Sequence, residues 1–431
     1  MTDATWTTAR RALAARQSER LQRLVIRITD HRGNAFYTRK LAAAGVDAAS
    51  IARDGIGTLP FTTKAELIAD QDAYPPWGTA HTEPIGAYTR YHQTSSTTGR
   101  PLRWLDTNAS WQWALDCWKS VFAAARVGPG DRVLFAFSFG PFLGFWTAFE
   151  AGCQIGAHCV PGGGMSSHQR LALIEAAKPG VLCCTPTYAL RLAEVAEAER
   201  PEAPLTASGV HTIIVAGEPG GSLPAVRARI ERAWGARVID HYGLTEVGPV
   251  AFEDWDRPGG LYVNEAEFIA EVLDGHGTPV PDGELGELVL TNLGRTASPL
   301  IRYRTGDVVR ATTAAHPTGP AYLWLDGGIL ARADDMVTIR GVNVYPTAVD
   351  AVVRAHHDVT EFRATVGREN AMRHLTVEVE VRPDVDAAAV AQAVSLALKE
   401  ALGLTVAVHA VAANALPRFE MKARRFVIAD V

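Results

Sequence analysis

Residues 211–246 read HTIIVAGEPGGSLPAVRARIERAWGARVIDHYGLTE, a strand, a helix and a second strand with a polar, glycine-rich turn after each strand. His211–Val215 and Arg237–Asp240 are short apolar runs, and Leu223–Trp234 between them has helical periodicity. The same alternation continues upstream. Strands are expected at Arg132–Phe137 and Gly180–Cys184, and helices at Ser167–Ala177 and Tyr188–Ala198. Such alternation predicts an α/β domain built on a parallel sheet. Downstream the character turns β-rich, with strands expected at Glu267–Leu273, Gly286–Thr291 and Ile301–Tyr303 and turns at Asp274-Gly275 and Asp282-Gly283.

After Leu330 a smaller unit begins. It offers a strand at Val337–Ile339, a helix at Pro346–Ala355 with proline in its first turn, and a strand at Leu375–Val381. In that last strand Leu375, Val377, Val379 and Val381 share one face, which assigns Thr376, Glu378 and Glu380 to solvent. Ala387–Leu402 is an alanine-rich helix closed by Gly403, and Thr405–Val411 returns as a strand. The expected architecture is a large N-terminal α/β domain with a β-rich subdomain (1–330), followed by a small C-terminal α+β domain (331–431).

Composition narrows the function. The 431 residues are 47% hydrophobic and 21% charged with a formal charge of −5, so a real core is affordable and no global field favours nucleic acid or an anionic membrane. Val133–Phe149 carries no charge, but it is short and broken by Gly140-Pro141 and Gly144, which argues for a buried strand, turn and helix and not a membrane span. Met1–Glu19 is polar and lacks the apolar centre of a signal peptide. The arginine-rich stretch from Arg10 to Arg27 reads as a surface helix burying Leu13, Leu21, Leu24 and Val25. Five cysteines form neither a disulfide framework nor a metal pair, a pattern that suits a reducing cytoplasm.

The chemistry gathers in a few segments. Thr94-Ser95-Ser96-Thr97-Thr98-Gly99-Arg100-Pro101 places five hydroxyl residues in a row before a glycine, a loop rich in donors for a polyphosphate. It lacks the GxxxxGK[ST] pattern, and alone such a run is a common linker. Two further segments leave strand ends, Ala216-Gly217-Glu218-Pro219 and Asp240-His241-Tyr242-Gly243-Leu244-Thr245-Glu246. Then come Tyr303-Arg304-Thr305-Gly306-Asp307, Ala331-Arg332-Ala333-Asp334-Asp335, Arg340-Gly341-Val342-Asn343-Val344-Tyr345-Pro346, and Leu416-Pro417-Arg418-Phe419-Glu420-Met421-Lys422-Ala423-Arg424-Arg425.

In order and spacing these segments resemble the adenylate-forming superfamily of acyl-CoA synthetases, adenylation domains and luciferases. Phe36-Tyr37 and Leu59-Pro60-Phe61-Thr62-Thr63-Lys64-Ala65-Glu66-Leu67 are most similar to the phenylacetate–CoA ligase branch. The resemblance covers nearly the whole chain. It implies activation of a carboxylic acid by ATP to an acyl-adenylate, then transfer to a thiol, with a mobile C-terminal domain.

It also implies roles. Thr94, Ser95, Ser96, Thr97, Thr98 and Gly99 would hold the β- and γ-phosphates, Thr245 the α-phosphate, and Glu246 a magnesium ion. Gly217, Glu218, Pro219, Asp240, His241 and Tyr242 would enclose adenine, while Asp307 and Arg332 would bind the ribose. Lys422 would be the catalytic cation, Asp334 the hinge, and Gly341 the centre of a loop facing the thiol. Phe139, Gly140, Phe142 and Trp146, with Ala216, Tyr242, Gly243 and Gly248, would line the acid pocket. Their aromatic character favours a small aromatic acid, of the hydroxy- or aminobenzoate or arylacetate type. Arg418, Arg424 and Arg425 read as solvated residues or neighbours of CoA phosphates.

The sequence departs from the family pattern at Ser96, where glycine is usual, at Arg100 for lysine, and at Ala331 for glycine. No cysteine lies in Gly248–Leu273, so no structural zinc is expected there. CoA is the first-choice acceptor. A carrier-protein thiol, or an amine or hydroxyl of another molecule, stays open, as does a homodimer. The reading from a different class is a nucleotide-binding regulator without catalysis.

Overall fold

The computed structural model of the protein describes residues 3–30, 34–94, 100–313, 316, 319–339, 342–369, 372–419 and 425–429. Helices α1 (Asp3–Asp30), α2 (Ala35–Ala44), α3 (Ala48–Asp54) and α4 (Lys64–Ala73) open the chain. The hairpin of β1 (Tyr88–Gln93) and β2 (Arg103–Thr107) leads into α5 (Asn108–Ala124). The alternating section then runs β3 (Arg132–Phe135), α6 (Leu143–Gln154), β4 (His158–Pro161), α7 (Ser167–Ala177) and β5 (Val181–Cys184). It continues through α8 (Pro186–Glu199), β6 (Thr212–Val215), α9 (Pro224–Trp234) and β7 (Arg237–Leu244).

Seven more strands follow: β8 (Gly248–Asp254), β9 (Arg257–Val263), β10 (Phe268–Leu273), β11 (Leu285–Asn292), β12 (Tyr303–Thr312), β13 (Trp324–Asp326) and β14 (Ala331–Arg332). Among the described residues these strands join the parallel ones in a single sheet, ordered β10-β11-β12-β13-β9-β8-β7-β6-β5-β3-β4 with β14 beside β12. Strand β7 is the pivot, parallel to β6 on one side and antiparallel to β8 on the other. Residues Val181–Cys184 and Thr212–Val215 are buried throughout, as central parallel strands covered on both faces must be.

The small C-terminal part contains β15 (Val337–Ile339), β16 (Val342–Val344), α10 (Pro346–Ala355), β17 (Val359–Glu369) and β18 (Met372–Val381). It ends with α11 (Ala387–Leu402), β19 (Ala407–Val411) and β20 (Phe426–Ile428). Four of these strands form a sheet ordered β19-β18-β17-β20. Val349 and Val353 of α10 and Val394 and Leu398 of α11 share a hydrophobic core with Phe362, Val377 and Val379 of that sheet.

The arginine-rich helix is where the pattern put it. Leu13, Leu21, Leu24 and Val25 are buried, while Arg10 pairs with Glu265, Arg20 with Glu267 and Arg27 with Glu83. Those ion pairs tie α1 to the rest of the fold. No helix among the described residues is long and apolar enough to cross a membrane.

Several expectations need correction. The strand expected at Ile301–Tyr303 begins at Tyr303 and runs to Thr312; its buried side includes Thr305 and Asp307, which breaks the apolar alternation. Strand β3 stops at Phe135, two residues short of the expected end, and β7 continues past Asp240 because His241 is buried in the sheet. Glu380 is buried where solvent was expected. Arg418 grips its carboxylate with two nitrogens (2.7 and 3.1 Å), and the backbone N–H groups of Asn414 and Leu416 also donate to it. Arg418 and Arg425 are thus internal ion-pair partners, Arg425 holding Glu361 at 2.5 and 2.9 Å, and neither is a solvated tail residue.

Candidate active site

The parallel strands β3, β5, β6 and β7 end on one edge of the sheet, the edge where open α/β sheets bind ligands. The loops that leave this edge carry most of the residues singled out above. After β6 the chain passes through Ala216-Gly217-Glu218-Pro219, with Gly217 at φ +92°. Glu218 accepts the Thr187 N–H (2.8 Å) at the start of α8, where a carboxylate is favoured by the helix dipole. A side chain at Gly221 would strike Asp240, its Cβ falling 2.4 Å from the carboxylate carbon.

Asp240 is buried at the end of the parallel stretch. Its carboxylate accepts the Ser222 hydroxyl (2.6 Å) and the His241 N–H (2.9 Å). Burial, with the neighbouring Glu253 charge, pushes Asp240 up to about 7. Glu253 itself receives the Asp240 N–H (2.7 Å), the Gly259 N–H (2.7 Å) and Arg227. The His241 ring lies 4.4 Å from Trp118 and its Nδ1 is 2.8 Å from the Ala251 carbonyl. Burial lowers His241 to about 4, so the ring is neutral near pH 7 and its Nδ1 carries the proton donated to Ala251.

Tyr242, Asp307 and Arg332 converge. The Tyr242 hydroxyl donates to Asp307 at 2.5 Å, and Arg332 lies 3.3 Å from the other oxygen of the same carboxylate. The pairing of β12 with β14 sets this up, because Asp307 and Arg332 are register partners. Burial and the Asp307 charge raise the Tyr242 phenol, which therefore stays a donor.

Thr245, Glu246 and Val247 form the tight turn between β7 and β8. Glycine closes it: a Cβ on Gly243 would sit 2.8 Å from the Gly248 carbonyl, and Gly248 has φ +117° and packs against Trp113. Glu246 is 3% exposed and accepts the Tyr303 hydroxyl (2.7 Å) on one oxygen. Its other oxygen receives no donor from the described residues, and among them no group of three or more His, Cys, Asp or Glu side chains surrounds it. That single free carboxylate oxygen fits magnesium, which commonly takes one or two carboxylates and fills its shell with phosphate and water.

Other expected residues fall elsewhere. Thr94 is buried at the base of the hydroxyl loop, where its hydroxyl accepts the Leu102 N–H (3.0 Å). The rest of that loop (Ser95–Gly99), Gly341 and Lys422 lie outside the described residues, and Asp334 sits in a short 3-10 turn after β14. Phe139 packs edge-on against Trp146 (5.0 Å), whose indole N–H donates to the Gly140 carbonyl (2.9 Å). Phe142 meets Phe145, and Phe145 stacks on Phe137 at 4.2 Å. Burial pushes the thiols of Cys117, Cys183 and Cys184 up, so none of these supplies a thiolate nucleophile.

Two residues escaped the sequence reading. Arg295 and Asp106, both fully buried, form a two-pronged ion pair, and Arg295 also donates to the carbonyls of Thr245 (2.8 Å) and Glu246 (3.0 Å). They stand 189 positions apart, and no local pattern marks either one.

The profile of the AMP-binding enzyme family matches residues 71–295, and that of the AMP-binding enzyme C-terminal domain matches residues 341–429. A phenylacetate-coenzyme A ligase of Thermus thermophilus is 35% identical over 380 residues, covering 87% of this chain and 83% of the relative. The solved structure of a 2-hydroxyisobutyryl-CoA ligase in its postadenylation state, bound to 2-HIB-AMP, is 30% identical and superposes with a TM-score of 0.89, covering 96% of this chain and 89% of that one. The same relative in its thioesterification state, with 2-HIB-AMP and CoA, superposes at only 0.72 over the same shares.

Proposed function

The chain belongs to the adenylate-forming AMP-binding enzymes, as an ATP-dependent acid–CoA ligase of the phenylacetate–coenzyme A ligase group, and from that premise we propose that its acid is a small aromatic one. A carboxylate cannot acylate a thiol directly, because oxide is too poor a leaving group. Its oxygen attacks the α-phosphorus of ATP, the bond to the β-phosphate oxygen breaks, and pyrophosphate leaves. The CoA sulfur then attacks the acyl carbon and AMP departs. The first step brings an anion onto a polyanion, so the barrier is electrostatic and the site must supply donors and cations where charge gathers.

The residues divide that work. The hydroxyl loop Thr94–Gly99 binds the β- and γ-phosphates, and the Thr245 hydroxyl donates to the α-phosphate. Glu246 would hold magnesium, whose chemistry when bound is to neutralise phosphate charge. Gly217, Glu218, Pro219 and Asp240–Tyr242 enclose adenine, and Asp307 accepts from the ribose hydroxyls beside Arg332. Lys422 bridges carboxylate and phosphate in the first step. The observation that carries this reading is the convergence of Tyr242, Asp307 and Arg332 beside the Thr245–Glu246 turn's own strand, with Asp307 buried and bonded to both partners.

The small C-terminal domain (331–431) takes a second position for the thioester step, turning at Asp334 and offering the loop around Gly341 to CoA. The two superpositions on one relative support that reading, since the chain's arrangement is close to the postadenylation form. The aromatic choice is supported by the rings of Phe137, Phe139, Phe142, Phe145 and Trp146 at the end of β3. The test is acid-dependent exchange of pyrophosphate into ATP over a panel of benzoates, arylacetates and 2-hydroxyisobutyrate, followed by mass spectrometry of the CoA products. Aromatic acids are expected to exchange at least ~10-fold faster, as judged by kcat/KM, than the aliphatic hydroxy acid. Preference for the aliphatic acid refutes the aromatic assignment, and no exchange with any acid returns the nucleotide-binding regulator.

A further inference from the structure

We infer that Arg295, held by Asp106, is a positioning residue for adenylation: it orients the Thr245–Val247 turn so that backbone donors face the substrate phosphates. The inference rests on the reading of that turn as part of the ATP site.

All three carbonyls of the turn accept from side chains of one short segment, residues 292–295. Arg295 spends Nε and Nη2 on Asp106, and its remaining Nη1 donates to Thr245 O (2.8 Å) and Glu246 O (3.0 Å). The buried Asn292 side chain donates to Val247 O (3.3 Å), while its own oxygen accepts the Leu300 N–H (3.0 Å). In a trans peptide plane the N–H points opposite to the C=O. Drawing the Thr245 and Glu246 carbonyls toward Arg295 therefore turns the N–H groups of Glu246 and Val247 to the other face. Neither N–H has a turn or loop hydrogen bond among the described residues. Two such donors beside the Thr245 hydroxyl make the kind of concavity that binds phosphoryl oxygens.

Asp106 completes the device. A bare guanidinium beneath this turn would repel the cation that Glu246 is to hold, and a fully buried one without a partner is costly. Burial would raise Asp106, but the Arg295 charge outweighs it and holds the carboxyl below the usual carboxylate range, so the pair stays ionised and neutral overall. Ser110 donates to Asp106 at 2.8 Å, and His92 lies 3.8 Å from its other oxygen. His92 belongs to β1, two residues before Thr94, so the same carboxylate is seated against the base of the hydroxyl loop.

The test removes the donors and keeps the volume. In D106L/R295M the buried charges are replaced together, which spares the fold an unpaired ion. Correctly folded D106L/R295M is expected to lose ~100-fold in kcat for pyrophosphate exchange, with the acid KM within about twofold of wild type and the magnesium half-saturation raised several-fold. A purely structural role would lower the melting temperature and leave the magnesium response of the folded fraction unchanged. Should the double variant not fold, Arg295→Lys serves, because an ammonium that keeps Asp106 cannot also reach both carbonyls; its expected loss is ~10-fold, in the same parameters. Exchange within threefold of wild type, with the magnesium response unaltered in whichever variant folds, overturns the inference. Glu246→Gln is the control: if it exchanges normally, the reading of the turn fails. If it is inactive while the Arg295 variants are not, only the positioning role fails.

Discussion

Asp240 keeps its proton up to about pH 7 because burial strips its charge of water and Glu253 adds a like charge, against which the Ser222 hydroxyl, Arg227 and the His241 N–H are insufficient. A carboxyl raised in the folded state favours folding below its unfolded pKa, near 4, and loses that contribution as pH climbs through about 7. The slope belongs to Asp240 together with Glu253, which burial also raises. Asp240→Asn should therefore flatten this limb: the stability difference, wild type minus variant, falls as pH rises from about 4 to 7 and is constant above it. Urea unfolding midpoints over that range measure it, and a difference that grows with pH would reverse the assignment. His241 acts oppositely in the same window, which is why the variant difference is the quantity to read. At this scale the sequence was informative where chemistry is local. Tyr242, Thr245, Glu246 and Asp307 sit in short segments whose order carries the resemblance. Asp106 and Arg295 could not be read, because a lone aspartate before a helix and a lone arginine in a loop look ordinary until the fold joins them.

Element by element, alternation of apolar residues located helices α7, α10 and α11 at their expected ends, and the strands of the parallel sheet within a few residues. It failed where a buried face is polar. Strand β12 hides Thr305 and Asp307, and β18 hides Glu380 because the chain at Asn414–Arg418 folds back over it. Burial would raise Glu380, yet the Arg418 and backbone hydrogen bonds outweigh it and lower its pKa. The stability it confers is present above the ordinary glutamate range and is lost as pH falls through the depressed value. Glu380→Ala is expected to cost about 2–3 kcal/mol, because it leaves two backbone N–H groups and a half-buried guanidinium without their acceptor. Hydrogen exchange should show the loss in β17, β18 and residues 412–419 while the large sheet stays protected; uniform loss across both would contradict a local anchor.

For the whole molecule, one contact joins the parts closely. Arg425, clamped by Glu361, extends Nη1 to 3.5 Å from the Thr187 hydroxyl, and the Thr187 N–H is the one bound by Glu218 of the β6 loop. Helix α10 also packs on α9. The two-part architecture was legible because a long stretch of alternating helices and strands gives way to a second, smaller α+β pattern. How the parts meet was not, since Arg425, Thr187 and Glu218 are distant in sequence and each is unremarkable alone. In the proposed mechanism the C-terminal part takes opposite tasks in turn, and Lys422 separates them. In Lys422→Ala, pyrophosphate exchange with the preferred acid should fall by ~100-fold or more, while CoA thioester formation from the pre-made acyl-adenylate proceeds within about threefold of wild type. Exchange near the wild-type rate, or equal loss of both half-reactions, would contradict the division of labour on which the proposed mechanism stands.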